Sequence, residues 1–458
     1  MEWPAILDEY EKLVRRMNTP RVVIDNEVCE TATLVKVDSA RKHGILLEAV
    51  QTLTDLDLSI KKAYISSDGR WFMDVFHVTD QFGEKLTDES DLSYIQQSLS
   101  AGNGARSGCF PGLTALELTG TDRPGLLSEV FAVLADMQCD VADATVWTHS
   151  RRIASLIHVK GEGDGSPVED PQKVRLIEAR LRNVLKGDGD DVHASARTTT
   201  FSSPSEAVAH PDRRLHQMMF ADRDYERPAS VAVVEAEPSH SPPSVSVQNW
   251  VDRGYSIVNV QCRDRPKLLF DVVCTLTDME YVVFHGTIDT NGDRAYQEFY
   301  IRHADGTPIN SEAERQRVIL CVQAAIERRA SEGVRLELCA VDRRGLLSEV
   351  TRTFRENGLS VTRAEVSTKG GMARNVFYVT DAAGHPADPK TIEAVRQRVG
   401  LGCLKVKETP PVPLCRKPSG WSGGPKDGQE GGGAAGLFYL GSLFRRNLYN
   451  LGLIRSCS

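Results

Sequence analysis

No two of the ten cysteines form a Cys-x-x-Cys pair, so the usual thiolate grip of a zinc site is missing. No apolar run approaches the ~20 residues that cross a bilayer. No secretory signal precedes the chain, so its thiols are expected to stay reduced. Positive charge is not in excess either. Lys and Arg number 55 against 63 Asp and Glu, a formal charge of −8, and no overall basic field draws this chain to nucleic acid or an anionic membrane. Two signatures of catalysis, the Gly-x-x-x-x-Gly-Lys-Ser/Thr phosphate loop and the His-Glu-x-x-His zinc helix, do not occur. His43, His149, His158 and His303 fall at unrelated places and read as surface or packing residues. Neither a cofactor nor a metal is expected.

What is present is a repeated phrase. Asp122-Arg-Pro-Gly-Leu-Leu-Ser-Glu-Val130 returns as Asp264-Arg-Pro-Lys-Leu-Leu-Phe-Asp-Val272 and as Asp342-Arg-Arg-Gly-Leu-Leu-Ser-Glu-Val350. A looser copy, lengthened before its glycine, runs from Asp38 through His43 and Gly44 to Ile45-Leu-Leu-Glu48. Repetition on this scale marks an array of one small module, and 458 residues suit three or four domains of about 100–150 residues.

The fourth copy shows the module most fully. Val334-Arg-Leu-Glu-Leu-Cys-Ala-Val341 alternates like a half-buried strand. Asp342 to Gly345 is a turn, after which Leu346, Leu347, Val350 and Phe354 take helical spacing until Asn357-Gly358. Two strands follow, Leu359–Ser367 and Arg374–Thr380, about a Lys369-Gly-Gly371 hairpin. A second helix from Pro389 to Val399, with proline in its first turn, leads to a last strand at Cys403–Val406. The order β-α-β-β-α-β is the split βαβ or ferredoxin-like arrangement. Leu53, Leu134, Leu276 and Phe354 share one repeat position in the first helix of each copy. Cys274 and Cys339 are expected in the core as small hydrophobes.

The fold class is therefore α+β: four tandem ferredoxin-like βαββαβ modules with antiparallel sheets, packed as two pairs. Sequence neighbours are expected to pair, first with second and third with fourth. The expected limits are an N-terminal segment at 1–30, modules at 31–103, 113–196, 255–330 and 333–408, and a linker arm at 197–254. A Gly- and Pro-rich tail occupies 409–458. Within the arm, Leu215, Met218 and Met219 lie on one side of a short helix. In the tail, Leu437, Leu440, Phe444, Leu448 and Leu451 follow helical spacing, for a helix that docks on the array, lies on a membrane surface or meets a protein partner.

The phrase lies between a strand and a helix. N–H groups at a helix start lack partners within the helix and favour an anion, and glycine lets a ligand or a backbone come close. With the nearby aspartate they suit a zwitterion such as an amino acid. The alternative is a plain turn, with aspartate as cap and Pro124 or Pro266 as first-turn residues. Lys267 stands where the other copies have glycine, which makes the sites unequal and favours those of the second and fourth copies.

Asp-Arg-Pro-Gly-Leu-Leu inside β-α-β-β-α-β resembles the ACT domain, and four copies resemble the plant ACT-domain-repeat (ACR) proteins. Pro20-Arg-Val-Val-Ile-Asp25, Lys42-His-Gly-Ile-Leu-Leu47, Arg213-Arg-Leu-His-Gln-Met-Met-Phe220 and Asn447–Arg455 strengthen the likeness. The phrase also resembles the ACT pair of bacterial uridylyltransferase. The resemblance implies a non-enzymatic regulatory protein that binds a free amino acid where modules meet. The implied ligand positions are Asp38, His43, Gly44 and Ile45; Asp122, Gly125 and Leu126; Asp264 and Leu268; Asp342, Gly345 and Leu346. It implies a homodimer through ACT–ACT pairing as a further partner, with no nucleic acid and no transmembrane segment. The expected compartment is the cytoplasm, with the nucleus left open. A ligand-free interaction scaffold and a regulatory fragment of a uridylyltransferase-like protein are the alternatives.

Overall fold

Alternation along Val334–Val341 sends Leu336 and Leu338 inward, and the strand forms as read. The same alternation turns Cys339 outward: it is exposed, against the core position expected of it, whereas Cys274 is buried. The computed structural model describes residues 21–40, 44–67, 71–100, 113–161, 166–187, 194–200, 210–226, 243–329 and 333–407. His43 and the apolar stretch Leu437–Leu451 lie outside them.

The first module comprises β1 (Arg21–Asp25), β2 (Thr33–Ala40), α1 (Ile45–Asp55), β3 (Ser59–Ser67), β4 (Trp71–Thr79) and α2 (Glu89–Ser100). The second comprises β5 (Thr114–Thr121), α3 (Leu126–Asp136), β6 (Asp140–His149), β7 (Arg152–Lys160), α4 (Pro171–Lys186) and β8 (Ser195–Thr200). The arm helix α5 (Pro211–Ala221) follows. The third module comprises β9 (Ser244–Trp250), β10 (Tyr255–Arg263), α6 (Leu268–Asp278), β11 (Tyr281–Asn291), β12 (Arg294–His303) and α7 (Glu312–Glu327). The fourth comprises β13 (Val334–Val341), α8 (Leu346–Glu356), β14 (Leu359–Lys369), β15 (Met372–Asp381), α9 (Pro389–Val399) and β16 (Leu404–Lys407).

The modules do form two pairs, but neighbours in sequence are not partners. One eight-stranded sheet runs β1-β2-β4-β3-β11-β12-β10-β9 and joins the first module to the third. The other runs β16-β13-β15-β14-β6-β7-β5-β8 and joins the fourth to the second. Each seam is antiparallel and short: Lys62–Ser66 against His285–Asp289, and Asp143–Trp147 against Arg363–Ser367. The reason lies in the edges. Every module has its own extra strand beside its first strand, which leaves the second strand as the free edge for pairing.

The extra strand has two origins. In the second and fourth modules it comes last (β8, β16), as the βαββαβ order predicts. In the first and third it comes first (β1, β9). Like therefore pairs with like. Ser244-Val-Ser-Val carried this signal within the stretch read as arm, for Val245 and Val247 are both buried.

Each sheet has one core under its helices, and Leu53, Leu134, Leu276 and Phe354 all lie at 0–1% exposure within them. The arm helix covers the opposite face of the second sheet. Its Leu215, Met218 and Met219 close over Ala115, Trp147, Ala154 and Leu156 as a separate apolar cluster. Among the described residues no helix is long and apolar enough to cross a membrane.

Candidate functional site

The two helices of each module begin differently. Every second helix has a side-chain cap: Asp88 on Ser90 N–H (2.8 Å), Asp170 on Gln172 (2.9 Å), Ser311 on Glu314 (3.2 Å) and Asp388 on Lys390 (3.4 Å). No first helix has one. Each starts instead from a left-handed residue, Gly44, Gly125, Lys267 or Gly345, at φ of 90°, 85°, 66° and 80°. Three turns are then closed by the same bond. Leu126, Leu268 and Leu346 donate to the carbonyls of Arg123, Arg265 and Arg343 at 3.1, 3.3 and 3.1 Å. The N–H groups next in line are the ones left for an anion.

The aspartates of the phrase do not cap these helices. Asp122, Asp264 and Asp342 directly follow the first strand, each donating its N–H to a carbonyl of the opposite hairpin: Arg151 (2.8 Å), Asp293 (2.7 Å) and Gly371 (2.9 Å). Asp38 does not belong to this set. Ala40 pairs with Trp71 as Thr121 pairs with Arg152, so Asp38 sits inside β2, opposite Met73. Its carboxylate accepts from the Trp71 indole and lies 3.8 Å from Lys36. In this register Arg41, three residues before Gly44, stands where the aspartate was expected, and it lies outside the described residues. The first copy is not lengthened; its aspartate is replaced. Ile45, Leu126, Leu268 and Leu346 are buried at 4%, 1%, 3% and 8%, so they anchor the helices rather than face a ligand.

The turns meet residues of the paired module. A Cβ on Gly125 would lie 2.3 Å from Arg355 Cδ of α8. The same guanidinium is 3.9 Å from Glu129, which Arg123 also holds, at 2.8 Å. Burial pushes the Asp122 carboxyl up to about 7 against the opposing pull of its neighbour Arg123. Across the same seam, Arg344 reaches Asp140 at 3.1 Å, while a Cβ on Gly345 would meet nothing within 4 Å. In the other pair, Asp264 is raised by desolvation and lies 3.9 Å from Lys61 of β3. Gly44 is open like Gly345.

The third turn is filled from within. Lys267 donates to Asp212 of the arm helix at 2.9 Å. Behind it, Asp271 is fully buried and bonded by Arg265 (2.7 Å), Arg329 (3.0 Å) and His216 (2.8 Å). Burial alone would raise its pKa, but the two guanidiniums hold it well below the carboxylate range. The chain of contacts continues outward. Arg328 joins His216 (2.9 Å) to Asp224 (2.6 Å), and His149 of β6 bonds Asp224 (3.0 Å) and Glu327 (3.2 Å). Arg329 also lies 4.5 Å over the Trp147 ring. The arm helix thus locks the third module to the second. His149, expected as a surface or packing residue, packs into this lock. The available signal was the coincidence in one copy of Lys267 for glycine and Asp271 for glutamate.

Comparison with known proteins follows the same divisions. Residues 28–105 match the model described as the ACR family N-terminal ACT domain. Residues 114–174 and 334–400 match the ACT domain, and 244–331 match the ACR9-like, ACT-like domain. The chain is 60% identical over 460 aligned positions to the ACT domain-containing protein ACR8 of Arabidopsis thaliana, covering 100% of both. It is 53% identical to ACR4 of the same plant, over 98% of each chain. Similarity to a bifunctional uridylyltransferase/uridylyl-removing enzyme of Azospirillum brasilense is 41% over 80 residues, 18% of this chain and 9% of that one.

Proposed function

This chain belongs to the ACR family of ACT domain-containing proteins, and from that premise we propose that it is a non-catalytic sensor of a free amino acid. The observation that carries the reading is the division of caps: four second helices capped by side chains, four first helices left uncapped. At the fourth turn the uncapped start has open space before Gly345 and adjoins the exposed Asp342. An amino acid placed there would give its carboxylate to the free N–H groups and its ammonium to Asp342. Binding at a seam would favour tight packing of the two modules over loose packing. We place the protein in the cytoplasm, a reading that fits the lack of a disulfide among the described residues.

A thermal-shift series with each of the twenty amino acids at millimolar concentration tests this. At least one should raise the melting temperature through its preference for the folded state, and Asp342→Asn should remove that rise. A flat series would refute sensing.

A scaffold without ligand is favoured at two of the four turns. Arg355 fills the approach to Gly125, and Asp212 holds Lys267. If the scaffold reading is right, pull-down partners survive Asp342→Asn and Asp122→Asn unchanged. The seam-forming edges are used within the chain, so a homodimer would need another surface.

A further inference from the structure

The arm helix covers only part of the helix-free face of the second sheet. Its apolar residues close over the second module, at Trp147, Ala154 and Leu156. Beyond its first turn the cover ends, and a cleft of about 370 Å³ opens above the seam strands. This is at the small end of ligand sites, which run about 300–1,000 Å³.

The floor carries Asp143 on β6, Glu365 on β14 and Arg374 on β15, and the roof carries His210 and Asp212 of the arm and Lys267 of the third turn. The floor residues share one face because strand side chains alternate: Ala144, Val366 and Asn375 between them point into the core. Asp143 has His158 at 3.7 Å, and Glu365 has the Arg363 guanidinium. Arg374 is exposed and has no ion pair among the described residues. In the roof, Lys267 reaches Asp212, while His210 uses Nε2 on Asp55 at 2.8 Å. Its side chain is 10% exposed, and its Nδ1 is buried with no hydrogen-bond partner.

A plain anion in this cleft would face Asp143 and Glu365, and a plain cation would face Lys267 and Arg374. A molecule that bears both charges a few bonds apart satisfies both sets. We propose that this inter-sheet cleft is an additional binding site for a zwitterion of the amino-acid class. Its ammonium lies toward Asp143 and Glu365, its carboxylate toward Lys267 and Arg374. The proposal rests on the amino-acid reading above and extends it to a place outside the module turns. It also assigns work to Lys267. The residue that breaks the glycine pattern lends its ammonium to a site built by three modules and the arm. A ligand there ties one sheet to the other.

Hydrogen exchange on the full chain, alone and with each of the twenty amino acids at 10 mM (on the order of the weak affinities expected for a sensor), localises binding directly. The expected result is protection of peptides spanning Asp143–Thr145, Glu365–Ser367 and the start of the arm helix. That protection should fall at least tenfold in Arg374→Glu and in Lys267→Gly. Neither substitution touches a core, and circular dichroism would check that each variant folds. Protection confined to the turns at 122–128 or 342–348 would overturn the cleft and leave amino-acid sensing intact. Protection at the cleft that survives both substitutions would also overturn it. No protection anywhere would sink both readings.

Discussion

The third and fourth turns have one backbone and opposite contents. Lys267 and Gly345 hold φ of 66° and 80°, and both precede an uncapped helix. Around Gly345 there is open space, and Asp342 is exposed. Around Lys267 there is a buried lattice of ion pairs that ends in another module. The repeat thus preserves a conformation, not a chemistry. One copy has turned an open, uncapped helix start into a joint.

The largest effect should come from cutting that joint. Asp271→Ala takes the buried carboxylate away from Arg265, Arg329 and His216 and leaves Arg329 only Asp212, which costs about 3–5 kcal/mol. The corresponding acid of the fourth helix, Glu349, pairs with Arg343 at the surface, and its loss should cost less than about 1 kcal/mol. Urea titration of both variants, followed by circular dichroism, checks the contrast. Equal costs would mean that the third turn is no joint.

A second contrast lies deeper in the modules. Asp74, Ser155, Gln297 and Asn375 occupy one register position on the third strand, opposite Val37, Leu118, Val260 and Leu338. All four are buried against the helices. Asp74 alone can ionise. Its oxygens have no close hydrogen-bond partner, and burial pushes its carboxyl up to about 7 against the opposing pull of the Ser66 backbone. The sign follows. Below pH 4 the carboxyl is neutral folded or unfolded, and it contributes nothing. From pH 4 to 7 the unfolded chain ionises first, so stability falls; above 7 the full cost is present. Asp74→Asn, the choice already made at Asn375, should therefore leave stability nearly unchanged at pH 3.5 and raise it by about 4 kcal/mol at pH 8. Thermal melts across that range would show the gap opening with pH. A constant gap would place the effect elsewhere than in ionisation.

Much of this fold was legible because it is local. The fourth copy's second helix, Pro389–Val399, has the bounds its proline and apolar spacing imply, and the shared register of Leu53, Leu134, Leu276 and Phe354 falls in the two cores. What was illegible is non-local. Which modules pair depends on which edge is left free after β1, β8, β9 and β16 have docked, and no spacing within a module records that. Asp38 was misplaced for a related reason. An aspartate shortly before a glycine resembles the phrase, but strand register, which pairs Ala40 with Trp71, assigns it to the strand interior. The site was half legible: glycine turns were found, whereas the joint at Lys267 needs the arm helix to be seen in place.

The two glycine turns of the second pair should respond differently to a methyl group. Alanine at φ near +80° costs about 1 kcal/mol whatever the space around it. At Gly345 that is the whole effect, because a Cβ there meets nothing. At Gly125 the Cβ also displaces the Arg355 side chain and loosens its contact with Glu129, so Gly125→Ala should cost about 2 kcal/mol. Denaturant midpoints distinguish the two, and equal losses would show that Arg355 does not press on the turn.

The smallest effect is expected where the repeat is broken. Lys267→Gly restores the glycine of the other copies and relieves a left-handed lysine, a gain of about 1 kcal/mol. It also removes the ammonium from Asp212. That carboxylate is not abandoned, since Arg329 remains 3.0 Å away, so the loss should also be about 1 kcal/mol. The two terms oppose, and net stability should change by less than about 1 kcal/mol in urea titration. A loss of several kcal/mol would show that Arg329 cannot hold Asp212 alone and that Lys267 is a member of the joint in its own right. A near-zero change would show that Arg329 suffices to hold Asp212 and that the stability of the turn does not depend on the lysine.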